Sequence, residues 1–114
     1  MAKKSLNPIT EPMFYVLLCF HKMEMCGSDI AGYVREITKG RVTMGPGTLY
    51  SILSLFQDVG LIVKVSTEGR RITYAITQKG EKIYHSEIER LKNCLKDAGN
   101  LWKEIYVNEK NNKI

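Results

Sequence analysis

The chain has 114 residues, of which 44% are hydrophobic and 25% charged. That is room for one globular domain and too little for two, and the apolar fraction is too high for a disordered tail. The net charge of +5 is unevenly spread: residues 39–79 carry Lys39, Arg41, Lys64, Arg70, Arg71 and Lys79 against only Asp58 and Glu68, a local field that suits a polyanion.

Residues 1–10 carry Lys3 and Lys4, and the apolar run that follows, Met13 to Phe20, ends after eight positions at His21 and Lys22. It is too short for an export signal or a membrane span, so a cytoplasmic protein without a membrane partner is expected. Cys19, Cys26 and Cys94 form no CxxC pair, which points to reduced thiols rather than a disulfide framework or a zinc knuckle. His21 and His85 have no partners at metal-ligand spacing, and Gly45-Pro46-Gly47 is no phosphate cradle. Neither a metal, a cofactor nor catalysis is expected.

Thr10-Glu11-Pro12 reads as a helix start, a hydroxyl cap followed by an acid and a first-turn proline. Met13, Val16, Leu17 and Phe20 then fall on one buried stripe. After a break at Cys26-Gly27, Ser28 or Asp29 caps a second helix whose stripe is Ile30, Tyr33, Val34 and Ile37, ending at Lys39-Gly40. Gly45-Pro46-Gly47 leads into a third helix opened by Thr48, with Leu49, Ile52, Leu53 and Phe56 buried and Gly60 as its stop. Three helices this short cannot stay folded alone, so their stripes meet in one core.

The period then changes. Leu61, Val63 and Val65 alternate with polar or outward positions, as do Ile72, Tyr74 and Ile76, around a turn region 66–71 that contains Gly69. A two-stranded hairpin with a basic tip is predicted. From Thr77, read as a cap, there is no further proline, and Tyr84, Ile88, Leu91, Leu95, Ala98, Trp102 and Ile105 are spaced alternately by four and three. This heptad seam needs an apolar partner, and a second copy of the chain is the simplest one. The polar tail from Asn108 to Ile114 is expected to fray.

The fold class is therefore mainly α with a small β-hairpin: a winged helix-turn-helix over residues 1–77 and a dimerisation helix with its tail over 78–114. In such a fold the third helix enters a major groove and the hairpin reaches the neighbouring backbone. Thr48, Tyr50, Ser51 and Ser54 are the expected contacts of the helix with double-stranded DNA, Lys39 and Arg41 those of its N-terminal approach, and Arg70 and Arg71 those of the hairpin tip. Two other readings fit the same elements, a winged helix that binds protein and an unspecific DNA-binding protein.

Gly47-Thr48-Leu49-Tyr50, Asp58-Val59-Gly60-Leu61-Ile62 and Gly69-Arg70-Arg71 followed by Tyr74, Thr77 and Gly80 resemble, in order and spacing, the motifs of the PadR family of transcriptional regulators. The resemblance covers residues 9–84, and the single long last helix looks like that of the family's short subclass. It implies a homodimeric repressor that binds an inverted repeat and is released by a small aromatic effector held between the last helices. The position matching the family's effector-stacking tryptophan is Leu91 here, while Trp102 lies eleven residues on along much the same face. Ser54-Leu55 replaces a basic pair usual in the family, which removes phosphate contacts from the third helix. Cys26-Gly27-Ser28-Asp29-Ile30 keeps the family's glycine turn but lacks its aromatic residue.

Overall fold

The structure, a computed structural model, describes residues 8–112, with side chains as far as residue 102. In chain order the elements are α1 (Glu11–Lys22), β1 (Met25–Cys26), α2 (Gly27–Ile37), α3 (Pro46–Asp58), β2 (Ile62–Glu68), β3 (Arg71–Ile76) and α4 (Gln78–Asn112). The chain divides after Tyr84 into two compact units.

In the first unit the capped stripes meet as the periodicity requires. Thr10 accepts a bond from the Met13 amide at 3.3 Å and so caps α1. Val16, Leu17, Cys19 and Phe20 of α1, Ile30 and Val34 of α2, and Leu49, Leu53 and Phe56 of α3 form the buried core, closed by Leu61, Ile62 and Tyr74. The stripe of α2 stops one turn early, because Ile37 at its last position is 41% exposed.

The sheet departs from the predicted two-stranded hairpin. It has three antiparallel strands in the order β1, β3, β2, with Met25 opposite Tyr74 and Cys26 opposite Thr73. Cys26, read as part of a break with Gly27, thus lies with Met25 in a short edge strand. Because this strand runs directly into α2, the helix begins at Gly27 with Cys26 as its cap residue, not at Ser28 or Asp29. The third helix also starts early. Pro46 occupies its first turn, where a missing amide hydrogen is harmless, and the cap position falls to Gly45.

Alternation in β2 is not as expected either. Leu61 and Ile62 are buried at the base of the wing, whereas Val63 and Val65 are 48% and 46% exposed. An irregularity between Lys64 and Ser66 breaks the two-residue period, and beyond Ile62 the whole of β2 stands clear of the core. The strands run closer to the tip than predicted, leaving Gly69 and Arg70 as a two-residue loop between Glu68 and Arg71. Gly69 has a φ of 60° and is the first central residue, the pattern of a tight hairpin turn that favours glycine there.

α4 is capped as its sequence suggests, the Thr77 hydroxyl accepting from the Gly80 amide at 3.0 Å. The same hydroxyl donates to the Gly60 carbonyl at 2.7 Å, tying the end of α3 to the start of α4. Gly80 is buried against the strand base, where a Cβ would stand 2.3 Å from the Leu61 carbonyl oxygen. Tyr84 belongs to this unit: it is buried, with its ring stacked on Phe14 at 5.8 Å and on His21 at 4.4 Å.

The second unit begins at His85 and is helical throughout its described length, reaching Asn112 rather than fraying from Asn108. Among its apolar residues, Leu95 is 73%, Leu101 58% and Trp102 68% exposed. Ile88 and Leu91 are half-buried and Ala98 is exposed. The Ile105 side chain, expected to close the seam, lies outside the described residues. No helix among the described residues is long and apolar enough to cross a membrane.

Candidate nucleic-acid interface

The turn from α2 to α3 sets the approach to the third helix. Thr38 closes it, its hydroxyl donating to the Val34 carbonyl at 2.7 Å and accepting from the Val42 amide at 3.1 Å. Lys39 then takes a φ of 53°, followed by Gly40 at 79°. A left-handed lysine is uncommon, and the turn projects it into solvent.

Arg41 also lies on the surface, but its guanidinium is engaged. It donates through Nη1 to Glu11 Oε1 at 3.0 Å and through Nη2 to the Tyr15 hydroxyl at 2.7 Å, so it fastens the turn to α1. These bonds, that to Glu11 first, hold its pKa above the ordinary arginine value.

α3 buries Leu49, Ile52, Leu53 and Phe56 and leaves Thr48, Ser51 and Ser54 exposed on other faces. Tyr50 is 53% exposed. There is no acidic residue in its first turn, so the positive end of the helix dipole is left uncompensated, as a bound anion requires. Its other end is complemented instead: Lys79 donates to the Val59 carbonyl at 2.7 Å.

The wing comes to the same region. Arg70, at the tip, lines a small crevice of about 40 Å³ together with Tyr50 of α3, Ser28 and Gly27 of α2, and Tyr74 of β3. α3, the wing tip and the start of α2 therefore converge. Arg71, one residue on, turns toward α2, and its Nη2 donates to Asp29 Oδ2 at 2.9 Å. That carboxylate holds the Arg71 pKa above its ordinary value.

Sequence reasoning missed Ser28 as a member of this surface, since it was read as a helix cap. Ser28 instead bonds the Cys26 thiol at 3.2 Å and lowers its pKa. The only available signal was the glycine turn just before it.

Three helices, a three-stranded sheet and an extended wing define a winged helix-turn-helix protein. The family model for the transcriptional regulator PadR-like family matches residues 16–86, more than half of the chain. The chain belongs to the PadR-like family and is a DNA-binding transcriptional regulator.

Solved structures agree on the fold. A transcriptional regulator from Clostridium thermocellum is 24% identical, with 77% of this chain and 89% of that one covered at a TM-score of 0.70. The RosR protein of H. salinarum is 18% identical over 93% of this chain and 97% of that one, at 0.68. Bacillus subtilis PadR in complex with operator DNA is 22% identical over 69% of this chain and 47% of that one, at 0.62. A search of curated proteins gave no match.

Proposed function

We propose that the protein is a repressor that binds an inverted repeat as a homodimer, joined along the α4 face that carries Ile88, Leu91, Leu95, Ala98 and Trp102. The observation that carries this reading is the exposure of Leu95 and Trp102 in the single chain. A helix of this length that leaves such side chains in water is stabilised by burying them against another apolar surface. Pairing two copies gives the two-fold symmetry that an inverted repeat mirrors, with recognition helices about 34 Å apart in successive major grooves.

Thr48, Ser51 and Ser54 then face base edges or phosphates, Tyr50 and Arg70 frame the crevice beside them, and Lys39 faces the backbone. Repression follows from occupancy of the promoter. A small aromatic effector seated near Leu91 and Trp102 relieves it only by favouring a dimer form that fits DNA less well. Cytoplasmic placement follows from the same role.

The test is selection of bound fragments from genomic DNA by the purified protein, followed by a salt titration on the best fragment. Recovery of an inverted repeat, with affinity reduced and the salt slope lessened by about one in Arg70→Ala, is expected. Binding that ignores sequence would replace the repressor with an unspecific DNA binder, and absence of binding would favour a protein partner.

A further inference from the structure

Resting on the reading that the wing meets DNA, we propose that Asp29 is a built-in competitor for the DNA contact of Arg71: it occupies the guanidinium as an intramolecular substitute for a DNA phosphate, and DNA must displace it.

Of the two arginines beside the wing turn, Arg70 lines the crevice with Tyr50, while Arg71 is bonded to Asp29. The two partners are 42 residues apart in sequence and come from different elements, α2 and β3. Asp29 lies in the first turn of α2, so its backbone is held by the core while its carboxylate reaches the wing. It also lies outside the basic interval of residues 39–79; beside Glu68, which faces Arg71 across the hairpin, folding brings a second acid from α2, and it is this one that bonds the guanidinium.

A carboxylate offers a guanidinium the same kind of charged oxygen acceptor as a phosphodiester. The pair is open to exchange, because the two side chains are 61% and 54% exposed and an ion pair in water is weakly held. Any duplex gains less from Arg71 than a free arginine would give, since the carboxylate competes. A site that seats the wing closely engages Arg71 in every bound molecule and meets the full cost of displacement, whereas a duplex that leaves Arg71 on Asp29 meets none of it. Asp29 thus lowers affinity most for DNA that uses Arg71.

The experiment measures, by fluorescence anisotropy with the full chain, binding to a random-sequence duplex and to the selected operator. The proteins are wild type, Asp29→Asn, Arg71→Ala and the double variant. Asp29→Ser is run beside Asp29→Asn to cover bonding of Arg71 by the amide oxygen, and circular dichroism verifies that each variant is folded. Relative to wild type, the Asp29 variants are expected to tighten the operator about two- to five-fold, the change an exposed ion pair supports, and the random duplex by no more than that. The gain is expected to vanish in the Arg71→Ala background.

No gain in either Asp29 variant overturns the proposal, and so does an equal gain with and without Arg71, which would be a plain effect of net charge. If the wild type binds neither duplex, the DNA reading itself falls. Wild-type binding with no gain from the Asp29 variants removes this inference alone.

Discussion

Leu17, Phe20, Leu53 and Phe56 are at most 2% exposed in the unit that ends at Tyr84, whereas Leu95, Leu101 and Trp102, equally apolar, are more than half exposed in the helix beyond it. The first unit builds its core within one chain. The second is amphipathic without a core of its own, and burial of each such side chain, worth about 1.5–3 kcal/mol, is left to another surface. Stability and the proposed assembly therefore rest on different residues, and mutation is expected to separate them.

The largest expected effect tests that separation directly. Phe56→Ala empties a fully buried site and is expected to lower unfolding stability by about 3–5 kcal/mol, measured by urea denaturation. Trp102→Ala is expected to leave the unfolding of the first unit nearly unchanged while weakening self-association by about 2 kcal/mol, as loss of a buried interface tryptophan does. Sedimentation equilibrium reads that term. An unchanged association constant in Trp102→Ala would break the contrast and move the partner of this face elsewhere.

A smaller effect is expected at Gly80, which sharpens the boundary between the regions. A methyl group there meets the Leu61 backbone oxygen at 2.3 Å and Ile76 Cγ1 at 2.6 Å, and backbone cannot swing aside. Gly80→Ala is expected to destabilise the first unit by about 1–3 kcal/mol in a thermal melt. Gly99→Ala, in the second unit, meets nothing within 4 Å and is expected to be neutral or stabilising in its helix.

The smallest effect is a pH dependence confined to the buried region. Burial pushes the Cys19 thiol from 9.0 up to about 12, so above pH 9 the unfolded chain loses a proton that the folded chain keeps. Stability then falls as pH rises through that interval, by no more than about 1.4 kcal/mol per unit from this group. Burial also raises Tyr74 and Tyr84, which act with the same sign. Urea melts taken from pH 8 to about pH 10 should show a shallower decline in Cys19→Ala than in wild type. Parallel declines would remove Cys19 from the account.

The three helices were legible because each repeats an apolar stripe over two turns, as Val16, Leu17 and Phe20 do in α1 and Leu49, Ile52, Leu53 and Phe56 in α3. β1 was not, because two residues cannot show a period, and what makes Met25 and Cys26 a strand is pairing with Tyr74 and Thr73 far along the chain. The outward valines of β2 were misread for a related reason: alternation records burial only where the sheet faces the core, and this wing leaves it after Ile62. At the interface, residue types were legible and their engagements were not. Arg41 and Arg71 read as free cations, since their acidic partners, Glu11 and Asp29, are 30 and 42 residues away.

The pairing of β1 has a consequence for the order of assembly during synthesis. Met25 precedes its partner Tyr74 by 49 residues. At about 5–20 residues per second, the nascent chain waits roughly 2–10 s between making one and making the other. α1 is made before that interval and α2 and α3 within it, so all three helical segments precede β3, and the edge of residues 25–26 stays open until β3 is made. A ribosome stalled within the wing therefore holds a chain whose first strand has no partner to pair with.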